Sequence, residues 1–212
     1  MGQFASAAGF SRNLFHAANK LVGHRNAGVA QAAIIACACF GAISGSSVAT
    51  AATMSQVALP EMKRLNYSDR LATGTLAAGG TLGILVPPSI ILIVYALLAE
   101  QSIAKLFAAS VIPGLIAAAG YMIAIAIYVR LFHGHAQIQP RASRAERIRA
   151  IREAWPIAAI FILLFVGIYR GFFTPTEGAA VATAATLALA LAGRQLTWRQ
   201  IVQCFLPAAQ AA

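Results

Sequence analysis

Five long runs without a charged side chain restrict what this sequence can fold into. They cover residues 26–60, 71–99, 106–129, 154–169 and 178–193, which are 35, 29, 24, 16 and 16 residues long. A helix that crosses the hydrocarbon core of a bilayer needs about 20 consecutive apolar residues. The runs therefore predict an all-α integral membrane protein.

The composition agrees with this class and excludes others. Charged residues make up 10% of the chain and hydrophobic residues 59%, whereas a soluble domain carries about 25% charged residues. The net charge of +10 comes from 16 Lys+Arg against 6 Asp+Glu. These basic residues stand in short clusters between the runs, so they indicate membrane topology and argue against nucleic-acid binding.

The first run, 26–60, is too long for one span and too short for two with a turn. Its middle, 41–47, is rich in Ser and Gly, which favour turns over helix interiors. Two arms of about 15 residues reach about 23 Å each, which does not cross a core of about 30 Å. We therefore predict a re-entrant helical hairpin over 26–60 with a Ser/Gly tip.

The second run contains a cluster of three glycines at 79–83 and, a few residues later, a proline pair. Pro87 and Pro88 lack the N–H groups that a continuous helix needs, and Gly79, Gly80 and Gly83 loosen the preceding turns. Residues 61–99 are therefore predicted to form a loop and a transmembrane helix broken near mid-membrane.

The remaining segments follow from the other runs and the charges between them. Residues 100–130 are predicted to form a transmembrane helix and 131–153 a basic cytoplasmic loop. Residues 154–193 are predicted to form two transmembrane helices. Residues 1–25 are interpreted as an amphipathic segment on the cytoplasmic side, and 194–212 as an interfacial helix.

The last two runs are somewhat short for spans. Trp155 suits the membrane interface, and Arg152, Arg170 and Arg194 are able to snorkel towards the headgroups. These flanking residues make both runs plausible spans.

The distribution of Lys and Arg favours the hairpin over a first span. With a hairpin, 14 of the 16 fall on one side of the membrane and 2 on the other. If the first run crossed instead, the division would be 11 to 5. The positive-inside rule places the richer side in the cytoplasm. The two residues on the opposite side are Lys105 and Arg170.

A polar hairpin tip and a broken helix in one chain together predict a site near the membrane midplane. Irregular backbone is tolerated there only when it is buried in protein or lines a cavity. Free N–H groups of half-helices suit anionic ligands, and free carbonyls suit cations. Tight helix packing and a simple kink are the alternative explanations. No nucleophile–base pair, phosphate loop or carboxylate pair is recognisable, so the sequence does not suggest an enzyme.

Several segments follow one another in an order that is typical of one family of membrane proteins. They are FGAISGSSVA at 40–49, LPEMKR at 59–64 with Tyr67, AGGTLGILVPPS at 78–89, and FTPTE at 173–177, with the shorter pairs Ser102-Ile103, Leu106-Phe107 and Pro113-Gly114. In this order, along nearly the whole chain, they resemble the large subunit (DctM-type permease) of tripartite ATP-independent periplasmic (TRAP) transporters.

The resemblance implies an elevator-type secondary transporter of the bacterial inner membrane, driven by a sodium gradient. It implies a small membrane subunit (DctQ-type) and a periplasmic binding protein (DctP-type) as partners. The expected substrates are organic acids such as C4-dicarboxylates, sialic acid or other carboxylates. Sodium is expected as the coupling ion, with no other cofactor.

The resemblance also assigns site residues. Backbone and hydroxyl oxygens of the hairpin tip and of the helix break supply the oxygen ligands that a hard cation prefers. The implied sodium site comprises Ser44, Gly45, Ser46, Ser47, Thr81, Gly83, Pro87 and Pro88. The implied substrate site comprises Ser46, Ser47, Gly80, Thr81 and Ser89, where half-helix N-termini face a carboxylate.

The chain departs from the family in its length. The family's large subunit is about twice as long and carries a second, inverted repeat. We therefore expect a fragment, a truncated gene or one piece of a split subunit, which would not transport alone. Two other functions stay open at this stage. One is an ion-channel or pore subunit whose tip lines a filter. The other is a membrane scaffold that does not transport.

Overall fold

The structure is a computed structural model that describes residues 2–132, 139–193 and 204. Those residues form helices and connecting turns, with no β-strand among them. The predicted all-α class is therefore confirmed. In chain order the helices are α1 (Gly2–Ala7), α2 (Phe10–Val22), α3 (Gly28–Ser44), α4 (Ser47–Arg64), α5 (Asp69–Leu85), α6 (Ile90–Leu98), α7 (Ile103–Leu131), α8 (Arg144–Glu153), α9 (Trp155–Tyr169) and α10 (Pro175–Ala192).

Helices α3 and α4 form the predicted hairpin. They are 17 and 18 residues long, or about 26 and 27 Å at 1.5 Å per residue, still short of a hydrocarbon core of about 30 Å. The open end is closed by a buried hydrogen bond of 3.3 Å from the Val29 amide to the Tyr67 hydroxyl. The start of α3 and the residues after α4 therefore lie together, opposite the Ser–Gly tip. The second arm extends beyond the predicted end at residue 60, to Arg64.

Helices α5 and α6 form the predicted broken helix. Helix α5 ends at Leu85, and α6 begins at Ile90 after Val86, Pro87, Pro88 and Ser89. The axes of the two helices differ by 43°. Helix α5 packs on both arms of the hairpin, so the break is brought to the level of the hairpin tip.

One described helix, α7, is by itself long and apolar enough to cross a membrane. Up to three spans result if the bent pairs α5–α6 and α8–α9, the latter bent by 50°, are each counted as one. Helices α9 and α10 contain 15 and 18 residues, about 23 and 27 Å. Their assignment as two separate spans stays a prediction. The predicted interfacial helix over 194–212 lies outside the described residues apart from Cys204.

The core is built mainly from α2, α3, α4 and α5. Helix α2 is strongly amphipathic. Phe10, Leu14 and Phe15 are buried against the hairpin, whereas Arg12 and His16 are exposed. Small residues on α3 allow its neighbours to approach closely. The largest fully buried side chains here are Phe10, Ile34, Phe40, Met54, Met62 and Leu82.

A layer of polar contacts lies at the open end of the hairpin. The Arg64 guanidinium donates hydrogen bonds of 2.7 and 3.0 Å to the Glu61 carboxylate, which also accepts one of 3.2 Å from Gln139. Lys20 and Glu146 form an ion pair at 3.5 Å. These contacts tie α2, the end of α4 and the start of α8 to one another.

The Glu61 carboxylate gives this layer a defined pH dependence. The hydrogen bonds from Arg64 hold the pKa of Glu61 below its ordinary value of 4.5, against the opposing effect of partial burial. A carboxyl group whose pKa is lowered by folding stabilises the protein at pH values above its pKa in the unfolded chain. That stabilisation is lost as the pH falls through the folded pKa.

We therefore expect acidification from neutral pH to below 4.5 to lower the thermal unfolding midpoint less in Glu61→Gln than in the wild type. Because the pair is partly exposed, the expected difference is small, roughly 2 °C. Thermal unfolding in detergent across this pH range measures it. Glu100→Gln is the control, since Glu100 forms no ion pair with a described residue. An equal pH dependence of the unfolding midpoint in wild type and Glu61→Gln would show that the Glu61 carboxylate does not contribute to stability.

Candidate functional site

Three oxygen atoms cluster at the tip of the hairpin. The Ser44 and Thr50 hydroxyls lie 2.7 Å apart, and the Thr50 hydroxyl donates to the Ser46 carbonyl at 2.7 Å. The Ser44 hydroxyl also lies 3.3 Å from that carbonyl. All three groups are neutral, and Thr50 is fully buried. The tip therefore presents an uncharged, partly buried oxygen cluster.

The local sequence explains this geometry. Gly45 adopts a left-handed conformation (φ 64°), which ends α3 and which other residues rarely adopt. Ser46 is extended and caps α4, its hydroxyl accepting from the Ala49 amide at 3.4 Å. Thr50 lies one helical turn later, so its hydroxyl returns to the Ser46 carbonyl four residues back.

The tip contacts the helix break through the backbone. The Ile90 amide, at the start of α6, donates to the Gly45 carbonyl at 3.4 Å. A Cβ atom on Gly45 would lie 3.0 Å from the Pro88 carbonyl oxygen. Pro87 and Pro88 themselves have no N–H to offer the carbonyls of Gly83 and Ile84. The two irregular segments that the sequence predicted are therefore brought into direct contact.

Glycines make this close approach possible. A Cβ atom on Gly83 would lie 2.7 Å from both the Ser46 carbonyl oxygen and the Thr50 hydroxyl. A Cβ atom on Gly41 would lie 2.6 Å from the Gly83 Cα. A Cβ atom on Gly80 would lie 2.7 Å from the Ala51 Cβ. Helix α5 therefore lies on the hairpin tip with backbone against backbone.

Ser89 adds one further hydroxyl at the break. It is 1% exposed, and its hydroxyl oxygen has no hydrogen-bond partner among the described residues. Although Ser89 occupies the capping position of α6, its side chain does not cap that helix. An unpaired buried hydroxyl is costly, so this group is available to a ligand.

Thr81 lies apart from this cluster. Its hydroxyl donates to the Ala78 carbonyl at 2.7 Å and lies 3.0 Å from the Tyr121 hydroxyl on α7. The side chain is exposed and faces α7, although its neighbours Gly80 and Gly83 face the hairpin. The structure thus brings together the tip residues, Gly80, Gly83, the proline pair and Ser89, but it directs Thr81 elsewhere.

Sequence reasoning missed Thr50, Gly41 and Ile90. Thr50 is recognisable in retrospect, since a Thr four residues after a capping Ser is able to bond back to the cap carbonyl. The roles of Gly41 and Ile90 depend on contacts between helices far apart in the chain. No local pattern indicates them.

The arrangement defines a class of protein. A re-entrant hairpin and a discontinuous helix that meet at a neutral oxygen cluster are typical of secondary transporters, which bind ions and substrates at such breaks. Carbonyl and hydroxyl oxygens are also the ligands that hard cations prefer. The chain accordingly has the architecture of a membrane transport protein.

The chain belongs to the family described as "Tripartite ATP-independent periplasmic transporter, DctM component", which matches residues 1–212. This confirms the resemblance inferred from the motifs. The chain is 40% identical over 190 residues to the C4-dicarboxylate TRAP transporter large permease protein DctM of Pseudomonas aeruginosa, covering 90% of the chain and 44% of the relative.

Other relatives carry different substrate names. The sialic acid TRAP transporter large permease protein SiaM of Vibrio cholerae is 34% identical, over 86% of the chain and 42% of the relative. The ectoine/5-hydroxyectoine TRAP transporter large permease protein UehC of Ruegeria pomeroyi is 36% identical, over 79% of the chain and 39% of the relative. The chain spans less than half the length of these relatives.

Proposed function

We propose that this chain is part of a sodium-coupled secondary transporter that imports organic acids delivered by a periplasmic binding protein. The observation that carries the proposal is the contact between the hairpin tip and the helix break. The Ser44, Ser46 and Thr50 oxygens cluster at the tip, and the Gly45 carbonyl accepts from the Ile90 amide of the break. The buried, unpaired Ser89 hydroxyl belongs to the residue just before Ile90. The proposal extends to the complete transporter, which also contains a small membrane subunit and lies in the bacterial inner membrane.

Sodium is proposed as the coupling ion because the cluster is neutral and made of oxygens. A hard cation of single charge is well served by hydroxyl and carbonyl dipoles and needs no carboxylate. The Ser44 and Thr50 hydroxyls and the Ser46 carbonyl lie 2.7–3.3 Å from one another, so a cation that replaced their mutual hydrogen bonds would find three neighbouring oxygens. Gly83 contributes by leaving room for this cluster, and the proline pair by freeing carbonyls.

A carboxylate is proposed as the substrate group because half-helix N-termini lie beside this cluster. Helix α4 begins at Ser47 and α6 begins at Ile90, and their positive dipole ends favour an anion. The Ser89 hydroxyl is free to donate a hydrogen bond to it. Two relatives named for C4-dicarboxylates are 40% and 39% identical to the chain, so we propose C4-dicarboxylates or related organic acids.

Ser44→Ala is expected to weaken the apparent sodium affinity of uptake about tenfold, because one partly buried oxygen ligand is lost. Thr81→Val is expected to weaken it less, since the Thr81 hydroxyl bonds to Ala78 and Tyr121. The measurement is binding-protein-dependent uptake of a labelled C4-dicarboxylate by vesicles that contain the complete transporter, as a function of sodium concentration. Ser55→Ala, in α4 like Thr50 but outside the cluster, is the control.

The outcomes separate the proposed function from its alternatives. Uptake that is saturable, sodium-dependent and dependent on the binding protein supports it. Downhill flux without coupling would indicate a pore subunit, and absence of flux with intact assembly would indicate a scaffold. A larger effect of Thr81→Val than of Ser44→Ala would indicate that the sodium ligands lie near Thr81 and α7, and not at the hairpin tip.

The proposed topology is tested independently of transport. After Cys37, Cys39 and Cys204 are replaced by Ala, the substitution Gln101→Cys is expected to react with an impermeant maleimide added to spheroplasts. Ser143→Cys is expected to react only after permeabilisation, because the 14-to-2 distribution of basic residues places it in the cytoplasm. Reaction of the position-143 thiol in intact spheroplasts would reverse the assigned orientation.

A further inference from the structure

A groove follows the line along which α5 and α7 pack against each other. It has a volume of about 550 Å³ and is lined by one stripe of residues from each helix. Gly74, Ala78 and Ala124 belong to this lining, and a Cβ atom added to Gly74 would have no heavy atom of another side chain or element within 4 Å. These small residues therefore leave a space between the two helices, which we call the α5–α7 groove.

The α5–α7 groove is largely apolar and carries a charge at one end. At its first end the Tyr121 hydroxyl lies 3.0 Å from the Thr81 hydroxyl, so these two polar groups pair with each other. At its other end lie the rings of Tyr128 and Phe132, with centroids 4.7 Å apart. Arg70, at the start of α5, also lines this second end and is the one charged residue in the described lining. The groove thus has the polarity of an amphiphile, with a cation where an anionic headgroup would lie.

The Arg70 guanidinium is free to bind an anion. It takes part in none of the ion pairs among the described residues, and the neighbouring carboxylate of Asp69 is paired with Lys63 at 3.3 Å. The residue is exposed, and a guanidinium offers five N–H donors in a planar fork that matches the oxygens of a phosphate. Arg70 therefore favours a phosphate group at this end of the groove.

The position and length of the groove match one leaflet of a bilayer. Helix α7 is long and apolar enough to cross a membrane, and α5 is the first half of a bent pair that passes the same test, so the groove between them lies at the depth of the hydrocarbon. Eleven residues separate Tyr121 from Phe132, about 16 Å at 1.5 Å per residue. This length is half of a hydrocarbon core of about 30 Å, which is the reach of an acyl chain in one leaflet.

We propose that the α5–α7 groove binds one anionic phospholipid, with an acyl chain between the two helices and its phosphate on Arg70. A cation between membrane helices is suited to an anionic headgroup, and the apolar lining is suited to the chain. The lipid comes from the leaflet on the Arg70 side, which is the cytoplasmic leaflet in the proposed topology. A bound chain would fill the space beside α5 and so support the helix that packs on the hairpin. The site does not depend on sodium or on the transported substrate.

The headgroup contact is tested by native mass spectrometry of the purified full chain with equimolar phosphatidylglycerol and phosphatidylcholine. Both lipids carry a phosphate, but the choline cation opposes the charge of Arg70. The wild type is therefore expected to retain one phosphatidylglycerol with a preference of roughly tenfold. Arg70→Gln is expected to remove this preference. Arg130→Gln is the control, because it removes the same charge near the same end of α7 but outside the groove lining.

The chain contact is tested by filling the groove. Gly74→Leu places a side chain in it and is expected to lower the retention of both lipids at least tenfold. Gly120→Leu is the matched control, since Gly120 is also an exposed helical glycine whose added Cβ would have no such neighbour within 4 Å, but it does not line the groove. Phosphatidylglycerol is expected to raise the thermal unfolding midpoint saturably in the wild type and in Gly120→Leu, but not in Gly74→Leu. Ala124→Phe fills the groove from α7 and serves in place of Gly74→Leu if that variant does not fold.

The outcomes distinguish a lipid from other occupants. Equal retention of the two lipids by the wild type, or equal losses in Gly74→Leu and Gly120→Leu, would overturn the proposal. A rise in the unfolding midpoint with inorganic phosphate as large as that with phosphatidylglycerol would assign Arg70 to the free ion and contradict the chain contact. Retention of neither lipid by the wild type would also contradict the proposal and would indicate that a helix of a partner protein covers the groove.

Discussion

Gly83→Ala is expected to reduce sodium-coupled uptake at least tenfold and to lower the thermal unfolding midpoint by about 2–12 °C. The new Cβ would lie 2.7 Å from both the Ser46 carbonyl oxygen and the Thr50 hydroxyl. Neither atom is the free end of a flexible side chain, because the first is backbone and the second is held by hydrogen bonds. The hairpin tip must therefore move away from α5, which separates the oxygens of the cluster.

Gly74→Ala is the matched control for this variant. Gly74 lies in the same helix and is exposed, and a Cβ atom added there would have no heavy atom of another side chain or element within 4 Å. Because Ala is the better helix former by about 1 kcal/mol, this variant is expected to be as stable as the wild type or more so. Uptake, membrane abundance and thermal unfolding are measured for both variants. Wild-type uptake by Gly83→Ala would show that the close approach of α5 to the tip is not needed for function.

Replacement of Pro87 and Pro88 together by Ala is expected to leave membrane insertion intact and to abolish coupling between substrate and sodium. The new N–H groups would pair with the carbonyls of Gly83 and Ile84, and α5 would continue into α6. In a continuous helix the Ile90 amide would bond to the Val86 carbonyl, so the Gly45 carbonyl would lose its donor at the tip. Ala is favoured over Pro inside a helix by about 3 kcal/mol per residue, so the variant is expected to fold.

Pro113→Ala provides the control for the proline pair. Pro113 lies inside α7, which continues unbroken from Ile103 to Leu131, so the substitution changes the same residue type without removing a break. The measurement is uptake against a sodium gradient, normalised to membrane abundance in the same cells. Undiminished coupling in the double variant, with normal abundance, would show that the break is structural and not part of an ion site.

Much of the fold was predictable from local chemistry. The lengths of the uncharged runs predict a membrane protein, because the bilayer sets the number of apolar residues that a helix requires. The Ser–Gly tip at Ser44–Gly45 and the pair Pro87–Pro88 mark where helices end, because these residues favour turns or lack N–H groups. The order of these motifs was sufficient to indicate the family.

Proline by itself does not determine where a helix breaks. Pro60 and Pro113 lie inside the continuous helices α4 and α7, whereas Pro87 and Pro88 separate α5 from α6. A helix is able to tolerate the loss of one hydrogen bond when its remaining packing is sufficient. Two consecutive prolines after a glycine-rich turn remove adjacent bonds, and the Gly45 carbonyl offers the Ile90 amide another partner.

The membership of the candidate site depended on tertiary contacts. Thr81 belongs by sequence to the glycine-rich motif, yet its hydroxyl faces Tyr121, whereas Thr50 lies outside that motif and stands at the centre of the oxygen cluster. Run lengths and turn residues specify where a helix starts and ends, but not its rotation about its own axis. That rotation follows from which small residues allow the closest approach, here Gly41 against Gly83 and Gly80 against Ala51, and it decides which oxygens converge at the tip.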